Sequence, residues 1–83
     1  VKVTVNAGPG FEDVLPAGAS NDSAIVDLAD GATVTELFTG LGLDDERRCM
    51  SAVNDTIVTR AQRAEVVLKD GDSVDILPPL TGG

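Results

Sequence analysis

One stretch of helical period, residues 33–43, constrains the fold of this chain more than any other feature. Thr33-Val34-Thr35-Glu36 has the form of a capping box. In it the Thr33 hydroxyl accepts the Glu36 N–H and the Glu36 carboxylate reaches back to the N–H of Thr33. Val34, Leu37, Phe38 and Leu41 then recur at i, i+3, i+4 and i+7, which places them on one helical face. Gly42 stops the helix in left-handed geometry, and Leu43 can make the apolar contact that accompanies such a stop. One amphipathic helix must bury its stripe against something, and the remaining apolar segments read as strands. The expected class is α+β, a small mixed sheet covered on one face by one main helix.

The strands are placed by alternation and by turn residues. Residues 1–6 alternate strictly and are rich in valine, with Val1, Val3 and Val5 expected inward. Gly8 to Asp22 is turn-rich and reads as a long hairpin loop pinned by Phe11, Val14 and Leu15. Ser23 to Leu28 is a second strand with Ala24, Val26 and Leu28 inward, and Asp30-Gly31 turns the chain toward the helix. Cys49–Val53 and Thr56–Thr59 form a hairpin across a tight Asn54-Asp55 turn. Arg60 to Glu65 is polar and irregular, and Val66, Val67 and Leu68 are expected to cover the sheet edge. Asp70-Gly71-Asp72 turns into the last strand, Ser73–Leu77, with Val74 and Ile76 inward. The order is β-β-α-β-β-β.

Composition narrows the function classes. Aromatic residues are 2% of the chain, with two Phe and no Trp or Tyr. The core must be aliphatic, and there are no stacking platforms for single-stranded nucleic acid. A net charge of -8 opposes nucleic acid and anionic membranes and suits a partner with a basic surface. No segment has the length of a membrane span and none reads as a signal segment. One cysteine, Cys49, cannot form an internal disulfide, so a cytoplasmic location is expected.

Several partial motifs carry no chemistry. Gly8 and Gly10 match the start of a dinucleotide fingerprint, but Asp13 stands where the third glycine belongs and no helix follows. Asp44-Asp45-Glu46 reads as a cap with solvated charges, and Asp70 with Asp72 as turn chemistry rather than a calcium loop. Cys49 reads as a small buried hydrophobe in a strand. The chain has no histidine, so neither a Ser/His nor a Cys/His pair exists. No catalytic residue, no metal ligand and no cofactor bound by the chain itself is expected.

The tail is different. Leu77-Pro78-Pro79-Leu80-Thr81-Gly82-Gly83 follows an apolar strand with two residues that lack an N–H and fix φ, so the ladder cannot continue. The segment should leave the domain as a stiff, extended spur. Residues 1–77 then form the domain and residues 78–83 an exposed tail. Gly82 and Gly83 have no side chains and can thread a channel too narrow for a Cβ. They would deliver a terminal carboxylate, which is a poor electrophile until it is activated, for example as an acyl-adenylate.

These features together resemble the ThiS/MoaD family of ubiquitin-like, β-grasp sulfur carriers. Thr33-Val34-Thr35-Glu36-Leu37 followed by Leu41-Gly42-Leu43 is similar to the ThiS helix. Ala52-Val53-Asn54, Ile57-Val58, Arg60 and Asp70-Gly71-Asp72 are similar to the ThiS hairpin in type and spacing. Pro78-Pro79-Leu80-Thr81-Gly82-Gly83 is instead similar to the MoaD tail. Three features depart from the family pattern: a longer first hairpin, Arg63 where many ThiS sequences have an aromatic residue, and Asn6 where MoaD often has an apolar one.

The resemblance implies a β-grasp fold and a carrier function. An E1-like adenylyltransferase of the ThiF/MoeB type, using ATP and magnesium, would adenylate Gly83. A persulfide donor would convert the adenylate to a thiocarboxylate. Sulfur would then pass to a thiazole through thiazole synthase, or to a dithiolene through the large subunit of molybdopterin synthase. Pro79, Leu80, Thr81 and Gly82 would thread the partner's active site. Docking should use the sheet face away from the helix, since Leu77 alternates with Val74 and Ile76 and so faces the other way. Leu77 and Ile57 are the apolar candidates, although Ile57 and Val58 cannot be assigned to faces from sequence. Asp75 and Asp72 could pair with partner cations. The competing readings are a protein modifier joined through Gly83 to target lysines, and an interaction module with an idle tail.

Overall fold

The computed structural model describes residues 1–16, 22–43 and 48–79. The turn residues at 17–21, the acidic run at 44–47 and the end of the tail, Leu80 to Gly83, lie outside them. Five strands and one helix follow in the order β1 (Lys2–Ala7), β2 (Ser23–Asp27), α1 (Val34–Gly40), β3 (Met50–Val53), β4 (Thr56–Val58) and β5 (Ser73–Leu77). Short 3-10 turns at Glu12–Val14 and Arg60–Gln62 complete the regular structure.

The sheet has the order β2-β1-β5-β3-β4, so the first and last strands in sequence lie side by side near its middle. β1 and β5 are parallel, with Thr4 opposite Ser73 and Ala7 opposite Ile76. The other pairs, β1–β2, β3–β4 and β3–β5, are antiparallel. A parallel neighbour needs a long crossover, and α1 with the β3–β4 hairpin supplies it. Mixed pairing around one helix is the expected α+β arrangement, and it is the ubiquitin-like β-grasp.

Alternation sorts the sheet into two faces. Val3, Val5, Val74 and Ile76 point inward and join Val34, Leu37 and Phe38 of α1 in one core, with Phe11, Val14, Leu43 and Leu68 closing its margins. The capping box of α1 is formed: the Glu36 N–H donates to Thr33 Oγ1 at 3.2 Å and the Thr33 N–H to Glu36 Oε1 at 3.3 Å. At the other end the Leu43 N–H donates to the Phe38 carbonyl and the Gly42 N–H to the Thr39 carbonyl. With Gly42 at φ +80, this is the six-to-one, five-to-two pattern of a Schellman stop.

Three expectations need correction. Val66–Leu68 does not cover the sheet edge. Leu68 is in the core, Val66 packs against it, and Val67 faces out as the bridge partner of Thr33. The segment pairs instead with the chain entering α1: the Val34 N–H donates to the Val66 carbonyl and the Leu68 N–H to the Ala32 carbonyl. Period-two alternation over three residues was there to read, but its pairing partner lies more than thirty residues earlier and leaves no local mark. Cys49 is half-buried and precedes β3 rather than lying inside it. Residues 60–62, read as irregular, form a 3-10 turn in which the Gln62 side chain accepts the Thr59 N–H at 2.9 Å.

The core placement of Leu68 is testable by equilibrium unfolding. Leu68→Ala should lower the unfolding free energy by about 2–5 kcal/mol. Val67→Ala, one residue away on the exposed side, should cost less than about 1 kcal/mol.

Candidate functional site

The face of the sheet away from α1 carries the predicted docking residues. β5 presents Ser73, Asp75 and Leu77 there, while Val74 and Ile76 are fully buried on the other side. β3 and β4 settle the ambiguity at 57–58. Val58 is buried and Ile57 is 50% exposed. In register, Ala52 lies between Ile57 of β4 and Asp75 of β5, and Met50 lies opposite Leu77. Ile57, Ala52, Met50 and Leu77 therefore form an apolar corner at the end of the sheet where β5 stops. Ala52 is only 4% exposed although it lies on the outer face, because longer side chains flank its methyl group on both sides. Neither Met50 nor Ala52 is assigned to the docking face from sequence, since cross-strand register decides their position.

Beside this corner the face is polar. The Asn6 side chain donates through Nδ2 to Asp75 Oδ1 at 2.9 Å and to Ser73 Oγ at 3.1 Å. This amide ties β1 to β5 on the outer face and orients the Asp75 carboxylate. Asp72 serves the turn before β5. It accepts the Asn54 side-chain amide at 3.0 Å and the Lys69 N–H at 2.8 Å. Its carboxylate is occupied at the far end of β5, so of the two acidic candidates Asp75 is the one beside the apolar corner.

The start of the predicted tail is described as far as Pro79. β5 ends at Leu77, and Pro78 and Pro79 follow without strand pairing. Leu80, Thr81, Gly82 and Gly83, which include the predicted sulfur-carrying residue, lie outside the described residues. Gly8 is a contact that sequence reading missed. Its N–H donates to the Ile76 carbonyl at 2.6 Å, which brings the loop after β1 against the root of the tail. The sequence signal was a glycine directly after a strand, but its meaning depends on the parallel β1–β5 pairing.

On the helix side, Arg63 packs beside α1. Its guanidinium lies 4.9 Å from the centroid of the Phe38 ring. It donates to Ser51 Oγ at 2.9 Å and to the Cys49 carbonyl at 2.8 Å. Ser51, fully buried, donates its own hydroxyl to the Val58 carbonyl at 2.8 Å. A planar cation over one aromatic ring thus does the packing that a second ring would do. The clefts on either side of Arg63, about 70 and 190 Å³, fall short of the volume of a small-molecule pocket. Among the described residues, no group of three His, Cys, Asp or Glu side chains could hold a metal ion. No helix there is long and apolar enough to cross a membrane.

The amide link between β1 and β5 is testable by a double-mutant cycle on unfolding. Asn6→Ala and Asp75→Ala should show a coupling of at least about 0.5 kcal/mol. Additive effects would mean that the two side chains act independently.

Comparison with known proteins agrees with this architecture. A profile of the ThiS family matches residues 17–83. The thiamine biosynthesis protein ThiS from Geobacter metallireducens aligns over 100% of both chains at 25% identity, with a TM-score of 0.67. Two further structures share the fold over 100% of both chains. A chain from the complex of subunits 1 and 2 of the molybdopterin-converting factor of Helicobacter pylori 26695 has 24% identity and a TM-score of 0.59. SAMP1 of Haloferax volcanii has 18% identity and a TM-score of 0.69. No curated protein matches in sequence. A family match that takes in α1, the β3–β4 hairpin, β5 and the tail, on a sheet of this topology, places the chain in the ThiS family of ubiquitin-like sulfur carriers.

Proposed function

We propose that this protein carries sulfur as a thiocarboxylate on Gly83 and donates it in cofactor biosynthesis, with the thiazole of thiamine as the favoured destination. The observation that carries the reading is the ThiS family match through β5 and on to residue 83. Two features support it. β5 stops at Leu77 before two prolines, and an apolar corner with an oriented carboxylate lies beside that stop. The molybdopterin branch stays as the alternative destination because the Pro78–Gly83 segment is similar to MoaD.

The chemistry divides between this chain and its partners. A Gly83 carboxylate oxygen attacks the α-phosphorus of ATP, held with magnesium on a ThiF/MoeB-type enzyme, and pyrophosphate leaves. The outer sulfur of a persulfide donor then attacks the acyl carbon, and AMP departs with the electrons of the C–O bond. A second thiolate cleaves the resulting acyl disulfide, forms a disulfide with the donor and leaves the thiocarboxylate. Gly83 is the substrate in each step, and the side chains of this chain serve docking. Ile57, Leu77 and Met50 offer apolar area, and Asp75 offers a charge for a basic partner surface. Pro79, Leu80, Thr81 and Gly82 form the arm that enters the partner's active site, distinct from the 1–77 domain that docks.

Reconstitution with a ThiF-type enzyme tests the reading through ATP–pyrophosphate exchange. Exchange should depend on this chain and be lost on removal of Gly82 and Gly83. Ile57→Asp should raise KM by about tenfold, as expected for an anchor at a docking surface, with little change in melting temperature. Exchange that survives removal of the two glycines would refute the reading. Attachment to protein lysines in place of thiocarboxylate formation would favour a modifier.

A further inference from the structure

Gly8 lies directly after β1, and a side chain there has no room. A Cβ built on it would stand 2.8 Å from the Ile76 carbonyl oxygen, 3.2 Å from Pro78 Cδ and 3.4 Å from Leu77 Cα. The first distance is shorter than real Cβ contacts, and its target is backbone, which cannot swing aside as a side chain would. At Gly10, Gly31, Gly40, Gly42 and Gly71 an added Cβ meets nothing within 4 Å. Nor is Gly8 among the glycines with positive φ. Close approach, rather than turn geometry, is what requires glycine at this position.

The atoms that a Cβ would meet belong to three consecutive residues, with the Ile76 carbonyl oxygen and Pro78 Cδ crowded and Leu77 Cα at ordinary contact distance. These are the last two residues of β5 and the first beyond it. The Gly8 N–H also holds the Ile76 carbonyl through a hydrogen bond of 2.6 Å, so the two backbones are already in close contact there. Pro78 and Pro79 have fixed φ, so a direction set at Pro78 is carried stiffly outward. A small rotation at this root would become a larger displacement at the end of the segment.

We infer that Gly8 is a positioning residue for the cargo-bearing tail. By letting the backbone of residue 8 touch the β5 exit, it fixes the direction in which Pro78 and Pro79 leave the sheet. The inference rests on the carrier reading given above, since it assigns Gly8 a role in presenting Gly83 for activation. Attack on the α-phosphorus of ATP requires the carboxylate to be placed closely, and a misplacement of about 1 Å can cost on the order of a hundredfold in rate. The strained contacts are with the Ile76 carbonyl oxygen and Pro78 Cδ, whereas Leu77 Cα would stand at ordinary contact distance, so substitution should disturb the root of the tail more than the docking corner.

Kinetics of ATP–pyrophosphate exchange on a ThiF-type enzyme, with the full chain as substrate, test this. Gly8→Ala should lower kcat by about tenfold or more while KM stays within about twofold, the pattern of an interaction realised at the reacting centre rather than at docking. Gly40→Ala, a control whose Cβ meets nothing, should match the wild type in both constants. Thermal melting followed by circular dichroism should show Gly8→Ala folded at the assay temperature. Wild-type kcat in Gly8→Ala would overturn the proposal. So would a loss confined to KM, or a variant unfolded at the assay temperature, since Gly8 would then serve packing alone. A wild-type chain that supports no exchange would overturn the carrier reading itself, which separates the two failures.

Discussion

The parallel pairing of β1 with β5 is the constraint on which the rest of this structure depends. It joins the two ends of the sequence at the middle of the sheet and forces everything between them to form one crossover. Val3, Val5, Val74 and Ile76 are buried together because that pairing puts the apolar inner faces of two strands side by side over α1. With so few aromatic residues, the core has little else to draw on. Side-chain area from short aliphatic residues is small, so the margins matter: Phe11 and Val14 from the first loop, and Leu68 from the segment paired with the entry to α1, close what the sheet and helix leave open.

The same pairing determines what the outer face can offer. Asn6 reaches Asp75 and Ser73 only because β1 and β5 are in register, and Gly8 reaches Ile76 for the same reason. β3 then brings Met50 and Ala52 alongside β5, and β4 adds Ile57. An apolar corner, an oriented carboxylate and the root of a proline-stiffened segment thus come from four strands and meet at one end of the sheet. A carrier needs a surface that a partner can hold and a separate reactive group that the partner can draw in. The docking surface and the root of the tail both lie at the end of a central strand, so the sheet fixes the relation between those two.

Much of this was legible from residue order. The capping box at Thr33 and Glu36, the Leu37 and Phe38 stripe and the stop at Gly42 are local patterns, and each took the form that its chemistry requires. Alternation gave the inward valines of β1 and β5 and the outward Leu77. Long-range pairing was not legible. Leu68 packs in the core because its segment pairs with residues 32–34, and nothing near it says so. The facing of Ile57 against Val58 depends on the register with β3, which a three-residue strand does not reveal. Arg63 falls in a stretch that reads only as polar and irregular, yet it bridges Phe38, Ser51 and Cys49, because its flat guanidinium can pack and donate at once. Gly8 shows the same limit: a glycine after a strand suggests a turn until the neighbouring strand is known.

The central claim is that the terminal carboxyl group of this chain is where sulfur is loaded. Intact mass spectrometry tests it most directly, on protein incubated with a ThiF-type enzyme, ATP, magnesium and a persulfide donor. The account predicts a mass gain equal to the exchange of one oxygen for one sulfur, with fragmentation placing the change on Gly83. An unchanged mass, under conditions in which the same enzyme and donor load another ThiS protein, would contradict it.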